Sequence, residues 1–167
     1  MGCGKSSVSR ALGEITGLPV VEIDELVREK AGMTINEIFE TKGEEYFRKL
    51  ESEALAGTAG AESIEGSDEA IVSCGGGILL RPENRELISG GVTVWVDATP
   101  EEILRRLEGD DTRPLLKNRK TPELLAELKD ERDTYYKFFS DFRILTDGYR
   151  VKDVADRVMA WISENCQ

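Results

Sequence analysis

Met1-Gly2-Cys3-Gly4-Lys5-Ser6-Ser7 opens the chain, and its reading decides the fold. Gly4-Lys5-Ser6 matches the C-terminal half of a phosphate-binding loop of the form G-x-x-x-x-G-K-[ST]. Val8, Ala11, Leu12 and Ile15 follow at i, i+3, i+4 and i+7, the spacing of a helix with one buried face. A glycine turn running straight into a helix aims bare backbone N–H groups and the positive end of the helix dipole at one spot. A Lys there can reach terminal phosphates, and a Ser hydroxyl can hold Mg²⁺. The loop's first glycine, and the strand that normally feeds it, would precede Met1. The bland alternative is a glycine-rich N-terminus with no ligand.

Bulk properties narrow the field. A chain of 167 residues suits one domain. At this size, folding buries roughly 70% of the unfolded surface, enough for a core without staples. The net charge of −11 disfavours nucleic acid or an anionic membrane as partner, while allowing a locally basic pocket. With no His, His-based triads, bases and metal sites are excluded. Cys3, Cys74 and Cys166 are odd in number and at no metal-ligand spacing, so they read as free thiols in a reducing, cytoplasmic compartment. No run approaches the ~20 apolar residues of a membrane span, and no signal peptide is visible.

Along the chain, strand and helix patterns alternate, which predicts a parallel sheet flanked by helices. Pro19 to Asp24 reads as a strand, placing Glu22 and Asp24 on one face at its C-terminal end, where α/β folds bind ligands. Alternatively, Asp24 caps the next helix. Thr34 is expected to cap a short helix, and Gly43 precedes another that carries Phe47 and Arg48. Arg48 is either an anion ligand or half of a surface ion pair with Glu44 or Glu51, a pairing that contributes about 0.2–0.5 kcal/mol. Residues 57–68 read as a surface loop. The strand Ala70–Cys74 runs into Gly75-Gly76-Gly77, where close backbone approach to a ligand explains three entropically costly glycines better than a linker does. A strand over Val92–Asp97 and a helix starting at Pro100 follow. The polar, aperiodic stretch 109–120 reads as a mobile lid or as an ordinary loop. Thr121 and Pro122 start a long helix whose apolar stripe, Leu124, Leu128, Tyr135, Tyr136 and Phe139, includes Arg132. A cation on a buried face needs a carboxylate or bound anion as partner. The strand Arg143–Thr146 and the helix Val151–Ile162 close the chain.

In this order, the phosphate loop, the acidic strand end, Phe47-Arg48, Ser73-Cys74-Gly75-Gly76-Gly77, Arg113-Pro114-Leu115-Leu116 and Arg132 resemble shikimate kinases of the phosphate-binding-loop type. Gly32-Met33-Thr34-Ile35-Asn36-Glu37-Ile38-Phe39 adds to the likeness, which covers nearly the whole chain. The resemblance implies a single three-layer α/β/α domain with a parallel sheet, its first central strand missing here. It implies a substrate-binding helical segment at about 32–57 and a lid at about 109–120.

The implied activity is transfer of the ATP γ-phosphate to the 3-hydroxyl of shikimate, with Mg²⁺, by a monomer. Gly2, Cys3, Gly4, Lys5, Ser6, Ser7, Arg106 and Arg113 would bind the nucleotide. Lys5, Asp24 and Arg113 would be catalytic. Asp24, Arg48, Gly75, Gly76, Gly77 and Arg132 would bind shikimate. Ser6 would hold Mg²⁺, and Glu22 would do so through water. Glu22 stands where the family has an Asp, one methylene longer with the charge kept.

The missing strand would leave two sheet edges exposed. Met1 matches an internal Met of the family loop, so the natural protein is expected to be longer. Rival readings are another small-molecule kinase, such as a gluconate or nucleoside monophosphate kinase, and a non-catalytic kinase-like module or fragment.

Overall fold

The computed structural model describes residues 2–60, 64–108 and 121–166. Its elements are α1 (Lys5–Thr16), β1 (Val20–Glu22), α2 (Ile23–Ala31), α3 (Ile35–Thr41), α4 (Glu44–Ala59), β2 (Ile71–Ser73), α5 (Pro82–Ile88), β3 (Val94–Asp97), α6 (Pro100–Arg106), α7 (Pro122–Phe139), β4 (Phe142–Leu145) and α8 (Val151–Asn165). The alternation read from the sequence is present, and every strand pairing is parallel. β1 pairs with β2 and β3 with β4, Glu22 lying opposite Ser73 and Trp95 opposite Arg143. The strands form two separate two-stranded sheets, and β2 and β3 are not hydrogen-bonded to each other. With helices packed around these strands, the architecture is three-layer α/β/α.

Among the described residues, two of three apolar clusters hold the elements around the strands together; the third, at Leu107 and Leu125, joins α6 and α7. Val8 of α1 packs with Ile144, Val154 and Val158, joining α1, β4 and α8. Ile23 and Val27 of α2, Ile38 of α3 and Phe47, Leu50 and Leu55 of α4 pack with Ile78 and Leu79 beyond the glycine run. Full burial of a side chain such as Ile23 contributes about 1.5–3 kcal/mol, so the second core firmly anchors the helices that line the candidate site.

The helix starts follow the capping chemistry of the sequence. Thr34 Oγ1 accepts from the Glu37 N–H at 3.2 Å, and Glu37 returns a bond to the Thr34 N–H at 2.8 Å. Thr121 Oγ1 accepts from the Leu124 N–H at the start of α7.

Two expectations are corrected. The strand read through Asp24 stops at Glu22, and α2 begins at Ile23, so Glu22 and Asp24 sit on different elements and do not share a strand face. Ile23 and Val27 are fully buried four apart, and that helical burial outweighs the period-2 pattern. The loop read from Gly57 begins later, because α4 runs through Ala59 and carries Gly57 and Thr58 within it. The Thr58 hydroxyl is turned back onto the Ala54 carbonyl.

Candidate active site

α1 starts from Gly4, whose φ of 88° lies in the left-handed region that favours glycine. No side chain caps this helix, so its first-turn N–H groups remain available to an anion. Cys3 is buried, and its carbonyl accepts from Thr146 Oγ1 at 3.1 Å. The same hydroxyl accepts from Arg106 Nη1 at 2.9 Å, while Arg106 Nη2 reaches the Thr146 carbonyl. Glu102 holds Arg106 from one helical turn away at 2.7 Å. Paired with Arg105 and then Arg106, Glu102 has its pKa pulled down to about 2. Cys3, Gly4, Ser7, Arg106, Tyr149 and Arg150 line an open cleft of about 620 Å³. A Cβ on Gly2 would press against the side chains of Ile103 and Leu107.

Ser6 and Glu22 meet beside this cleft. Ser6 Oγ donates to Glu22 Oε2 at 3.0 Å. Among the described residues, Glu22 Oε1 is buried without a hydrogen-bond partner and has Arg10, at 3.7 Å, as a distant ion pair. A hydroxyl beside a carboxylate with a spare buried oxygen suits Mg²⁺, which takes one or two protein ligands and completes its shell from nucleotide phosphates and water. Among the described residues, no group of three or more carboxylate, thiol or imidazole side chains could hold a metal by itself.

The opposite end of the site is buried. Arg48, which the sequence left as either surface pair or anion ligand, is 7% exposed. Both suggested partners are engaged: Glu44 at 2.9 Å and Glu51 at 2.8 Å. Glu51 is only 1% exposed, and its Oε1 has no hydrogen-bond partner among the described residues. Burial pushes the Glu51 carboxyl up from its ordinary value, although Arg48 and Lys5 act against the shift; Asp24 adds to it. The glycine run fits around this pair. A Cβ on Gly75 would overlap Glu51 Oε1 and come within 3.5 Å of Asp24 Oδ1, while one on Gly77 would overlap the Arg48 guanidinium. These two glycines therefore make room for the protein's own charged cluster, whether or not a ligand approaches. Burial, with Glu51 next, raises the Cys74 thiol to about 12, so it stays protonated and unreactive at neutral pH.

Arg132 is 9% exposed on α7, and its Nε is buried without a hydrogen-bond partner among the described residues. One turn further along, the Tyr136 hydroxyl donates to the Gly76 carbonyl. Burial raises Tyr136 to about 12, and it lies within electrostatic reach of Arg132, Glu51 and Arg48. The structure thus gathers Lys5, Asp24, Arg48, Gly75–Gly77 and Arg132 around Glu51 and Tyr136, and Ser6, Glu22, Cys3, Gly4, Ser7 and Arg106 around the helix terminus. Arg113 and the expected lid at 109–120 lie outside the described residues. The sequence reading missed Tyr136, which looked like another stripe residue, and Thr146, which carried no signal. For Glu51 the signal was present as its i+3 spacing from Arg48, but only as a surface pair.

An anion-receptive helix terminus at one end and buried guanidinium groups at the other define the class: a small-molecule kinase of the phosphate-binding-loop type. The chain matches the family model described as shikimate kinase over residues 1–163. The shikimate kinase of Geobacter sulfurreducens is 42% identical over 166 residues, covering 99% of this chain and 88% of the relative. That of Geobacter metallireducens is 40% identical over 163 residues, covering 97% and 87%. Among solved structures, shikimate kinase from Acinetobacter baumannii in complex with shikimate matches with a TM-score of 0.90 at 30% identity, covering 100% of this chain and 91% of that one. The chain belongs to the shikimate kinase family, whose members are ATP-dependent kinases of the shikimate pathway. No helix among the described residues is long and apolar enough to cross a membrane.

Proposed function

We propose that this chain phosphorylates the 3-hydroxyl of shikimate from ATP, with its two ends dividing the work. The observation that carries this reading is Arg132: a buried guanidinium whose Nε has no partner among the described residues, within electrostatic reach of the same Tyr136 hydroxyl as a second buried arginine, Arg48, whose carboxylates are already its own. A buried cation without a full set of acceptors calls for an anionic guest, and a substrate carboxylate supplies planar acceptors that match a guanidinium fork.

Arg48 and Arg132 bind that carboxylate and fix the ring. Glu51 holds Arg48 from behind, so the guanidinium presents a set face. Asp24, in the first turn of α2, accepts or orients the proton of the reacting hydroxyl. Lys5 and the N–H groups of Gly75, Gly76 and Gly77 stabilise charge on the transferring group, as positioning and electrostatics dominate phosphoryl transfer. Arg113 takes the same part on the strength of the family resemblance. The N–H groups of the α1 terminus hold the nucleotide phosphates, and Arg106 flanks the base. Ser6, with Glu22 through water, would hold Mg²⁺, which would supply positive charge to offset that of the nucleotide phosphates. We infer a cytoplasmic, monomeric, single-domain enzyme, with the 32–57 helical segment as the shikimate-binding part.

Coupled ADP release from the purified chain, with shikimate and with gluconate as alternative acceptors, tests the assignment. Turnover with shikimate alone is expected. Turnover with gluconate alone would move the chain to a different kinase activity. Failure to bind Mg·ADP by calorimetry would support a non-catalytic module.

A further inference from the structure

Asp97 ends β3 on a buried carboxylate, 5% exposed, that plays no part in the phosphoryl transfer described above. Its Oδ2 accepts from Arg143 Nη2 at 2.6 Å and Nε at 3.0 Å, and its Oδ1 accepts from the Ala98 N–H at 2.8 Å. These partners are local, since Arg143 lies on the adjacent strand. Lys129 comes from α7, and its Nζ donates to both Asp97 oxygens, at 2.8 and 2.9 Å. One carboxylate therefore faces two cations. Arg143 and the Ala98 N–H already satisfy the carboxylate, so Lys129 is not needed to neutralise it. What Lys129 adds is a tie between helix and strand.

That tie sits at a telling place. Lys129, Arg132 and Tyr136 fall at i, i+3 and i+7, on one face of α7. Beyond Arg132, Tyr136 hydrogen-bonds to Gly76 and stacks on Trp95 with ring centroids 5.1 Å apart. Trp95 in turn lies under Arg143, at 4.4 Å. The helix is thus fastened one turn before Arg132 and one turn after it, and both fastenings run to the same strand, β3. Arg132 itself has no hydrogen bond at Nε among the described residues, so where its guanidinium reaches depends on how its helix is held.

We propose that Lys129 and Asp97 are positioning residues that fix α7 on the end of β3 and thereby set the reach of Arg132 toward the substrate carboxylate. This rests on the reading of Arg132 given under Proposed function. The test is calorimetric binding of shikimate and of ADP to the full chain carrying Lys129→Met, which keeps the aliphatic stem and leaves Asp97 paired with Arg143. Shikimate should bind about tenfold more weakly, in line with the sensitivity of oriented sites to small displacements, with ADP affinity unchanged and Lys129→Arg restoring shikimate. Unchanged shikimate affinity, or equal weakening of both ligands, would overturn the proposal. Arg132→Ala, measured alongside, separates the two readings. If it leaves shikimate binding intact, the carboxylate assignment fails; if it weakens binding while Lys129→Met does not, only the positioning role fails. In the double variant, Lys129→Met should add nothing to the loss from Arg132→Ala, because its effect runs through Arg132. A further loss would mark a general structural role and contradict the proposal. Should Lys129→Met melt below the assay temperature, Lys129→Gln carries the same readout.

Discussion

The two ends of the site solve opposite problems. At the proposed nucleotide end, the phosphate loop and Arg106 line an open cleft, and the arginine's partners, Glu102 and Thr146, hold it in place. At the proposed shikimate end, Arg48, Glu51 and Arg132 are each less than a tenth exposed, and two buried polar atoms, Glu51 Oε1 and Arg132 Nε, have no hydrogen-bond partner among the described residues. Leaving buried polar groups unsatisfied costs about 1–3 kcal/mol each. The comparison teaches where specificity resides: the open end can accept a nucleotide by its phosphates, whereas the buried end penalises any guest that fails to meet its charges.

The largest expected break in this division is Asp24→Asn. It should lower kcat by about 10²–10⁴-fold, the usual contribution of a positioned general base, while Mg·ADP binding stays intact. Near-normal turnover in steady-state assays would remove Asp24 from the mechanism. Next comes Gly77→Ala, which drives a methyl into the Arg48 guanidinium. It should destabilise the protein by about 1–3 kcal/mol through overpacking, visible as a lowered midpoint in denaturant melts. An unchanged midpoint would mean that the arginine has room to move.

The pH responses of the two ends should differ in sign. Glu51 is raised by burial, so the fold favours its protonated form. Its contribution to stability falls as pH rises above the ordinary carboxylate value of 4.5. Glu102 is depressed to about 2 by its arginine partners, so its contribution is present above 4.5 and is lost as pH falls toward 2. Thermal melts of Glu51→Gln and Glu102→Gln against the parent chain, run across pH, should therefore diverge in opposite directions. The smallest effect is expected from Arg106→Ala: the KM for ATP should rise about three- to fivefold, in keeping with a partly exposed cation near a ring, with the KM for shikimate unchanged.

The sequence was most legible where local chemistry sets structure. Thr34, Gly43 and Thr121 mark helix starts that the structure contains. The phosphate loop could be read from Gly4-Lys5-Ser6 because its geometry is built from consecutive residues. The Pro19–Asp24 reading failed because a three-residue strand passing straight into a helix offers too few positions for a period of 2 to compete with 3.6. Arg48 shows the other limit. Its partners followed from i−4 and i+3 spacing, but its burial depends on Gly75 and Gly77, nearly 30 residues away. Spacing along one helix carries no such information. The same holds for Asp97 and Lys129, which meet only once β3 and α7 are packed.

The most direct test of the central claim, that buried arginines read a substrate carboxylate, compares kcat/KM for shikimate and for its methyl ester in the parent chain and in Arg132→Ala. The parent chain should prefer the free acid by about 100-fold, the scale of a lost charge-assisted pair, and Arg132→Ala should erase most of that preference. If the variant discriminates between acid and ester as well as the parent chain does, Arg132 does not bind the carboxylate and the division of the site drawn here is wrong.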